Sequence, residues 1–343
     1  MKTLEDARKN YRHGLLRDYR RAMADPAATA ETRRRLRDAV LVACNEPDRP
    51  APGPAPSAYR ARADSPLGVP TGLAELDAML GGGAGNGRLI VVASRPSIGR
   101  SSFGTTICEH AAVCLNIPTL LISMEMSQND LAFRLASSMS KIPGQRLRDP
   151  RGLSPEDAAT LKGVSAEIAA SALHIDAAGP THSAASIADL AGRYADDHDL
   201  GLLVVDCLQI IEDERGDYRR GRREDMIPAS AQLKALARRL NIPVVAMSRL
   251  TLVVEDQVDN RPNLGDLPDA GSIEEDADVV ILLHRPEHYD LNDQPGIAEA
   301  IVAKNRNGAT GTIRLAWRKE LTRFDDLEPH RRAGGMDPDP RDF

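Results

Sequence analysis

The chain has 343 residues, 42% of them hydrophobic and 27% charged, with a net charge of −6. That length allows one large α/β domain plus a small appendage, and the balance is that of an ordinary globular protein rather than a disordered or membrane-spanning one. Aromatic residues make up only 3%, so contact with nucleic acid would rest on charge and backbone amides, not on base stacking. No apolar run approaches the roughly 20 residues of a bilayer span, and the start MKTLEDARKNYR carries no apolar signal core. Cys44, Cys108, Cys114 and Cys207 show no metal-ligand spacing and read as small core residues. A cytoplasmic, reducing setting without membrane contact is expected.

Residues 1–46 form the appendage. Leu4, Tyr11, Leu15, Tyr19 and Ala22 recur at helical spacing, Asp25-Pro26 caps a second helix, and Leu36, Val40 and Ala43 give that helix its apolar stripe. Residues 1–50 hold 12 Lys+Arg against 8 Asp+Glu, and the basic run Arg33–Arg37 is read as a solvated helix face, with DNA contact as the alternative. Residues 47–65 are a linker, opened by the Pro-rich stretch PDRPAPGPAPS. From residue 66 to 327, short β-type runs alternate with helical segments, the pattern of a doubly wound, mostly parallel sheet. Strands are predicted at Leu89–Ala93, Thr119–Ser123, Leu202–Asp206, Pro243–Met247, Val279–Leu283, Ile297–Ala303 and Thr312–Trp317. The tail, residues 328–343, is rich in charge, Pro and Gly and is expected to be disordered.

The first strand runs directly into Ser94-Arg95-Pro96-Ser97-Ile98-Gly99-Arg100-Ser101-Ser102. Strand, Gly-ended loop, cation, hydroxyl and helix follow in the order of a phosphate-binding P-loop. Backbone N–H groups at the helix start converge on an anion and the helix dipole adds to their pull, while the Ser101 hydroxyl would face Mg²⁺. Ser94 stands where the pattern has Gly, and Arg100 where it has Lys. LLVVD places Asp206 at the end of an apolar strand, the Walker B form that holds a Mg²⁺ shell. LLISMEM ends another strand at Glu125, where a base could orient an attacking water; a helix-capping or surface glutamate is the other reading.

The succession SRPSIGRSSF, LLISMEMS, GLLVVDCLQII, QLKALARRLNIPVVAMSRL, AGSIEEDADVVILLHR and AKNRNGATGTIRLAW, with VPTGLAELDAMLGG leading in, resembles the C-terminal motor domain of DnaB-type replicative helicases. The resemblance implies a RecA-like P-loop fold, a hexameric ring with ATP and Mg²⁺ bound between subunits, and single-stranded DNA in the central channel. By motif, Arg100 and Ser101 take the Walker A positions, Glu125 the catalytic base, Asp206 Walker B, and Gln209 the glutamine that follows it. Lys304 and Arg306 match the basic pair that reaches the neighbouring subunit's γ-phosphate.

Four departures accompany the likeness. Arg100 is a planar fork where a compact ammonium is expected. Arg249 replaces a Gln that senses the γ-phosphate; it could offset the first change, or pair with Asp206 or Glu125 and shut the site. In the segment matching the family's DNA-contacting loop, Pro268 and Asp269 replace Arg and Glu, while Gly271 still permits close approach to a phosphate. The helical pair of residues 3–45 stands in place of the family's N-terminal collar, so loader and primase contacts made through that collar are not expected. A second DNA candidate is the segment holding Arg215, Arg219, Arg220, Arg222 and Arg223, readable equally as a solvated loop. Three functions therefore compete: a DNA-driven ATPase motor, a pseudo-motor serving as scaffold or regulator, and a RecA-superfamily relative acting in recombination or signalling.

Overall fold

The structure, a computed structural model, describes residues 68–149, 152–177, 183–211, 228–256, 259–268 and 270–327. The helical appendage and linker of residues 1–65, the arginine segment with Arg219, Arg220 and Arg222, Asp269, and the tail from residue 328 lie outside the described residues.

Apolar runs that are buried along their whole length make the central strands. A two-stranded ribbon, β1 (Gly68–Val69) and β2 (Ala84–Gly85), brackets helix α1 (Ala74–Met79). Next come β3 (Leu89–Ser94), α2 (Arg100–Cys108) with a π-helical continuation (Glu109–Cys114), β4 (Thr119–Ser123) and α3 (Gln128–Ser140). Helices α4 (Gly144–Arg148) and α5 (Pro155–Ala170), strand β5 (Leu173–Asp176), helix α6 (Ala184–His198) and strand β6 (Leu202–Asp206) follow. The remainder is α7 (Ala229–Leu240), β7 (Val244–Arg249), α8 (Ala270–Asp276), β8 (Val279–His284), β9 (Ile297–Asn305), β10 (Gly311–Arg318) and β11 (Arg323–Asp326).

Nine strands form one sheet in the order β11-β10-β9-β8-β3-β7-β6-β4-β5. The six strands from β8 to β5 run parallel, and β9, β10 and β11 add an antiparallel wing. Alternate residues of each strand point to opposite faces, so the sheet has a core on each side. Ile90 and Val92 of β3 join Phe103, Ile107, Leu131, Trp317 and Phe324 on one face. Leu89, Val91 and Ala93 join Ile187, Leu233, Leu236 and Ile273 on the other.

All seven predicted strands are present, several a residue or two longer than expected. Two more appear at the sheet edges, β5 and β11, whose half-buried polar runs carry little apolar signal. Segment 266–272, expected as a loop, becomes helical at Ala270, so Gly271 lies in the first turn of α8. The Ile-Glu-Glu run that follows favours helix, and Ile273 and Ala277 bury one face of it. Among the described residues, no helix is long and apolar enough to cross a membrane.

Candidate nucleotide site

In a parallel sheet the carboxyl ends of adjacent strands deliver their last residues to one crevice. Here register does the placing: Ser94 of β3 lies opposite Arg249 of β7, and Ser123 of β4 opposite Asp206 of β6. Glu125 follows β4 by two residues. A cavity of about 510 Å³ opens at this edge, lined by Arg95, Pro96, Ser97, Gly99, Arg100, Ser101, Ser102, Glu125, Arg134, Arg249, Trp317 and Thr322.

The turn before α2 has the backbone a phosphate cradle needs. Ser97 has φ of 66° and Gly99 of 120°, the second a conformation that side chains rarely adopt. A Cβ on Gly99 would also meet the Phe324 ring at 2.9 Å. No side chain caps α2 and no acid lies in its first turn. Those N–H groups are thus placed for an external anion.

Of the residues expected in the pocket, Pro96, Ser97, Gly99, Arg100, Ser101, Ser102, Glu125 and Arg249 line it. Asp206 sits just beneath, 3% exposed. Ser94 is fully buried, its hydroxyl donating to the carbonyl of Arg95 at 2.9 Å. Gln209 ties β6 to β7 instead of facing the cavity. Its amide nitrogen donates to Ser248 Oγ at 2.8 Å, and its oxygen accepts from the Arg249 N–H at 2.9 Å.

The two substituted arginines converge on one carboxylate. Arg100 donates to Glu125 Oε2 at 2.9 Å and to the Ser248 carbonyl at 3.2 Å, and its Nε stands 3.6 Å from Asp206 Oδ1. Arg249 grips the other oxygen, Oε1, through Nε at 3.0 Å and through Nη2. The Cys207 thiol adds a third donor to Oε1 at 3.3 Å. Burial alone would raise the Glu125 carboxyl, but the Arg249 hydrogen bonds and the Arg100 charge hold it below the usual carboxylate range. Burial wins at Asp206, which is pushed up although the Ser101 hydroxyl bonds to it and Arg100 lies near. Burial likewise pushes the Cys207 thiol up to about 11, keeping it a neutral donor.

Sequence reasoning misses several residues that line this cavity. Arg134 of α3 enters the cavity and donates to Ser102 Oγ at 3.1 Å, its one hydrogen bond among the described residues. Its signal is an arginine beside the buried positions Leu131 and Leu135, on the helix that follows Glu125. Arg95 is held by Glu255 at 2.6 Å. Trp317 Nε1 and Thr322 Oγ1 are buried without a partner. Both residues line the cavity with other atoms. They come from the antiparallel wing, more than 200 residues beyond the P-loop.

Lys304 and Arg306, at the end of β9, do not line this cavity. Lys304 donates to the Glu274 carbonyl and Arg306 to the Glu275 carbonyl, both in the last turn of α8. Arg306 is also 3.8 Å from Asp278, a carboxylate already paired with Lys234 at 2.5 Å. The same short helix therefore carries Gly271 at one end and the parked cations at the other.

Mg²⁺ takes hard oxygen ligands in octahedral geometry with its own waters. Ser101 and Asp206 supply the right atoms. The Arg100 guanidinium, however, flanks the Asp206 carboxylate, and the facing atoms Nε and Oδ1 are both buried with no hydrogen-bond partner. As arranged, these residues do not fit a divalent ion.

The family model for the DnaB-like helicase C-terminal domain matches residues 68–326. The chain is 37% identical over 262 residues to the replicative DNA helicase DnaB of Geobacillus stearothermophilus, covering 76% of this chain and 57% of that protein. It is 35% identical over 272 residues to the replicative DNA helicase DnaC of Bacillus subtilis, covering 79% and 59%. The chain thus spans less than two thirds of the curated relatives it matches. Among solved structures, it resembles one described as an ATPase domain, with a TM-score of 0.72 and 30% identity, covering 78% of this chain and 94% of that one. A DnaB-like replicative helicase, described with its primase interactions, matches with a TM-score of 0.73 and 26% identity over 95% and 78% of the two chains.

Proposed function

Because this chain belongs to the DnaB-like helicase C-terminal domain family, matched over residues 68–326, we propose that it is an ATP-dependent ring motor on single-stranded DNA whose hydrolysis is held low. The observation that carries the second half is the double grip of Arg100 and Arg249 on Glu125.

A base that orients water needs a free carboxylate lone pair facing the phosphorus. Here one Glu125 oxygen accepts from Arg100, and the other accepts from Arg249 and Cys207. Turnover requires Oε1 to be released, and Arg249, whose side chain is 48% exposed, is the arm of the clamp that can swing away. The incoming triphosphate is the natural competitor, since its terminal oxygens match a guanidinium fork as well as a carboxylate does. The N–H groups at the start of α2 hold the phosphate chain, and Arg134 adds charge from the side. Lys304 and Arg306 belong to the partner half of the reaction. Delivered across a subunit boundary, they make hydrolysis depend on ring assembly, and such fingers are worth roughly 10³–10⁵ in rate. Hexamer formation, DNA binding in the channel and cytoplasmic residence belong to this same reading. A loader or primase contact is left out of it.

The clamp also supports a second reading, in which it never opens and the ring is a nucleotide- or DNA-binding scaffold. Phosphate release by the full chain, with and without single-stranded DNA, separates the two. The motor reading expects slow turnover that DNA stimulates and that Glu125→Gln abolishes. ATP binding with no release above the Glu125→Gln background leaves only the scaffold.

A further inference from the structure

We infer that the pocket binds a nucleoside triphosphate without a divalent cation, because the guanidinium of Arg100 stands where the ion would need to sit. The inference rests on the nucleotide reading above and deepens it.

The position of Arg100 is built, not incidental. Its side chain is 8% exposed, and it meets the ends of three strands. It donates to Glu125 beyond β4 and to the Ser248 carbonyl on β7, and its Nε faces Asp206 on β6. A lysine at this place has a single ammonium on a flexible stem, free to swing onto the phosphates and leave Asp206 to an ion. A guanidinium held by two hydrogen bonds and an ion contact with Asp206 is not free in that way. Its charge stays beside Asp206, where it repels a second cation and presents a fixed positive group to the triphosphate.

The rest of the lining agrees. Four arginines line the cavity against a single carboxylate, Glu125. Arg95 is engaged by Glu255, and Arg100 and Arg249 by Glu125. Arg134 has only the Ser102 hydroxyl among the described residues, which leaves most of its five donors for an anion. Neutralisation of the phosphate chain, ordinarily shared between one lysine and a metal ion, is here carried by guanidinium groups.

The test is calorimetric titration of ATP into the full chain, once in excess Mg²⁺ and once in excess EDTA. Wild type should bind with affinities that agree within about 3-fold, less than 1 kcal/mol. Arg100→Lys, which lets the cation leave Asp206, should bind at least ~10-fold more tightly with Mg²⁺ than with EDTA. Arg100→Met, which removes the competing charge without adding bulk, should show the same preference and serves if the lysine variant melts early. A wild-type affinity that falls ~10-fold or more in EDTA overturns the inference while leaving the nucleotide reading intact. Wild type that binds no ATP in either buffer overturns both.

Discussion

The domain carries two groups of cations at the ends of its strands, and they are held in opposite ways. At the P-loop edge, Arg100 and Arg249 are committed to a carboxylate, and Arg100 is nearly buried. At the end of β9, Lys304 and Arg306 rest on backbone carbonyls of α8, and Arg306 also stands 3.8 Å from Asp278, a carboxylate already taken by Lys234. A buried ion pair is hard to break, because whichever partner leaves abandons an uncompensated charge. A cation on a carbonyl gives up one hydrogen bond and regains water. On the proposed function the difference says which half of the site can move: Lys304 and Arg306, the cations proposed to reach a neighbour, rest mainly on carbonyls, while Glu125, the proposed base, is held by two guanidinium groups.

Breaking each group in turn should expose that contrast. The largest effect is expected from Glu125→Ala, which strands the Arg100 guanidinium; a loss of about 2 kcal/mol in denaturant stability is predicted, part of the full buried-pair cost because Glu125 is partly exposed. A change below ~0.5 kcal/mol would mean the clamp is only a surface contact. Truncating the other group, Lys304→Ala with Arg306→Ala, should leave stability within about 0.5 kcal/mol. The same double variant should nonetheless lose DNA-stimulated phosphate release, measured on protein that still assembles. Stability loss comparable to Glu125→Ala would erase the distinction between parked and locked cations.

The contrast is only half legible in the sequence. Ser94 to Ser102 is one continuous stretch, so its strand, turn and helix can be read without tertiary information. Glu125 and Asp206 are legible for a similar reason, since each ends an apolar run and parallel strands share a carboxyl edge. The direction of the Arg100 side chain is not. It depends on Glu125, Asp206 and Ser248, residues 25, 106 and 148 positions away, which only the strand order β3-β7-β6-β4 brings together. Sequence leaves two outcomes open for Arg249, compensation or pairing; the grip on Glu125 is the second. Trp317 and Thr322 carry no local signal because each reaches the cavity from an element outside the P-loop motif, and Arg134 offers only its place beside buried Leu131 and Leu135. The start of α8 reads as a loop because Pro268 and Gly271 mark turns locally, whereas Ile273 and Ala277 reward helix only once packed against the sheet.

Restraint of Glu125, the proposed base, by Arg100 and Arg249 is read out by ATP turnover of the Arg100→Lys, Arg249→Gln double variant beside wild type. A rise of at least ~10-fold, equal to about 1.4 kcal/mol off the barrier, is expected in excess Mg²⁺ and single-stranded DNA. A double variant that binds ATP, assembles and turns over no faster than wild type would contradict it.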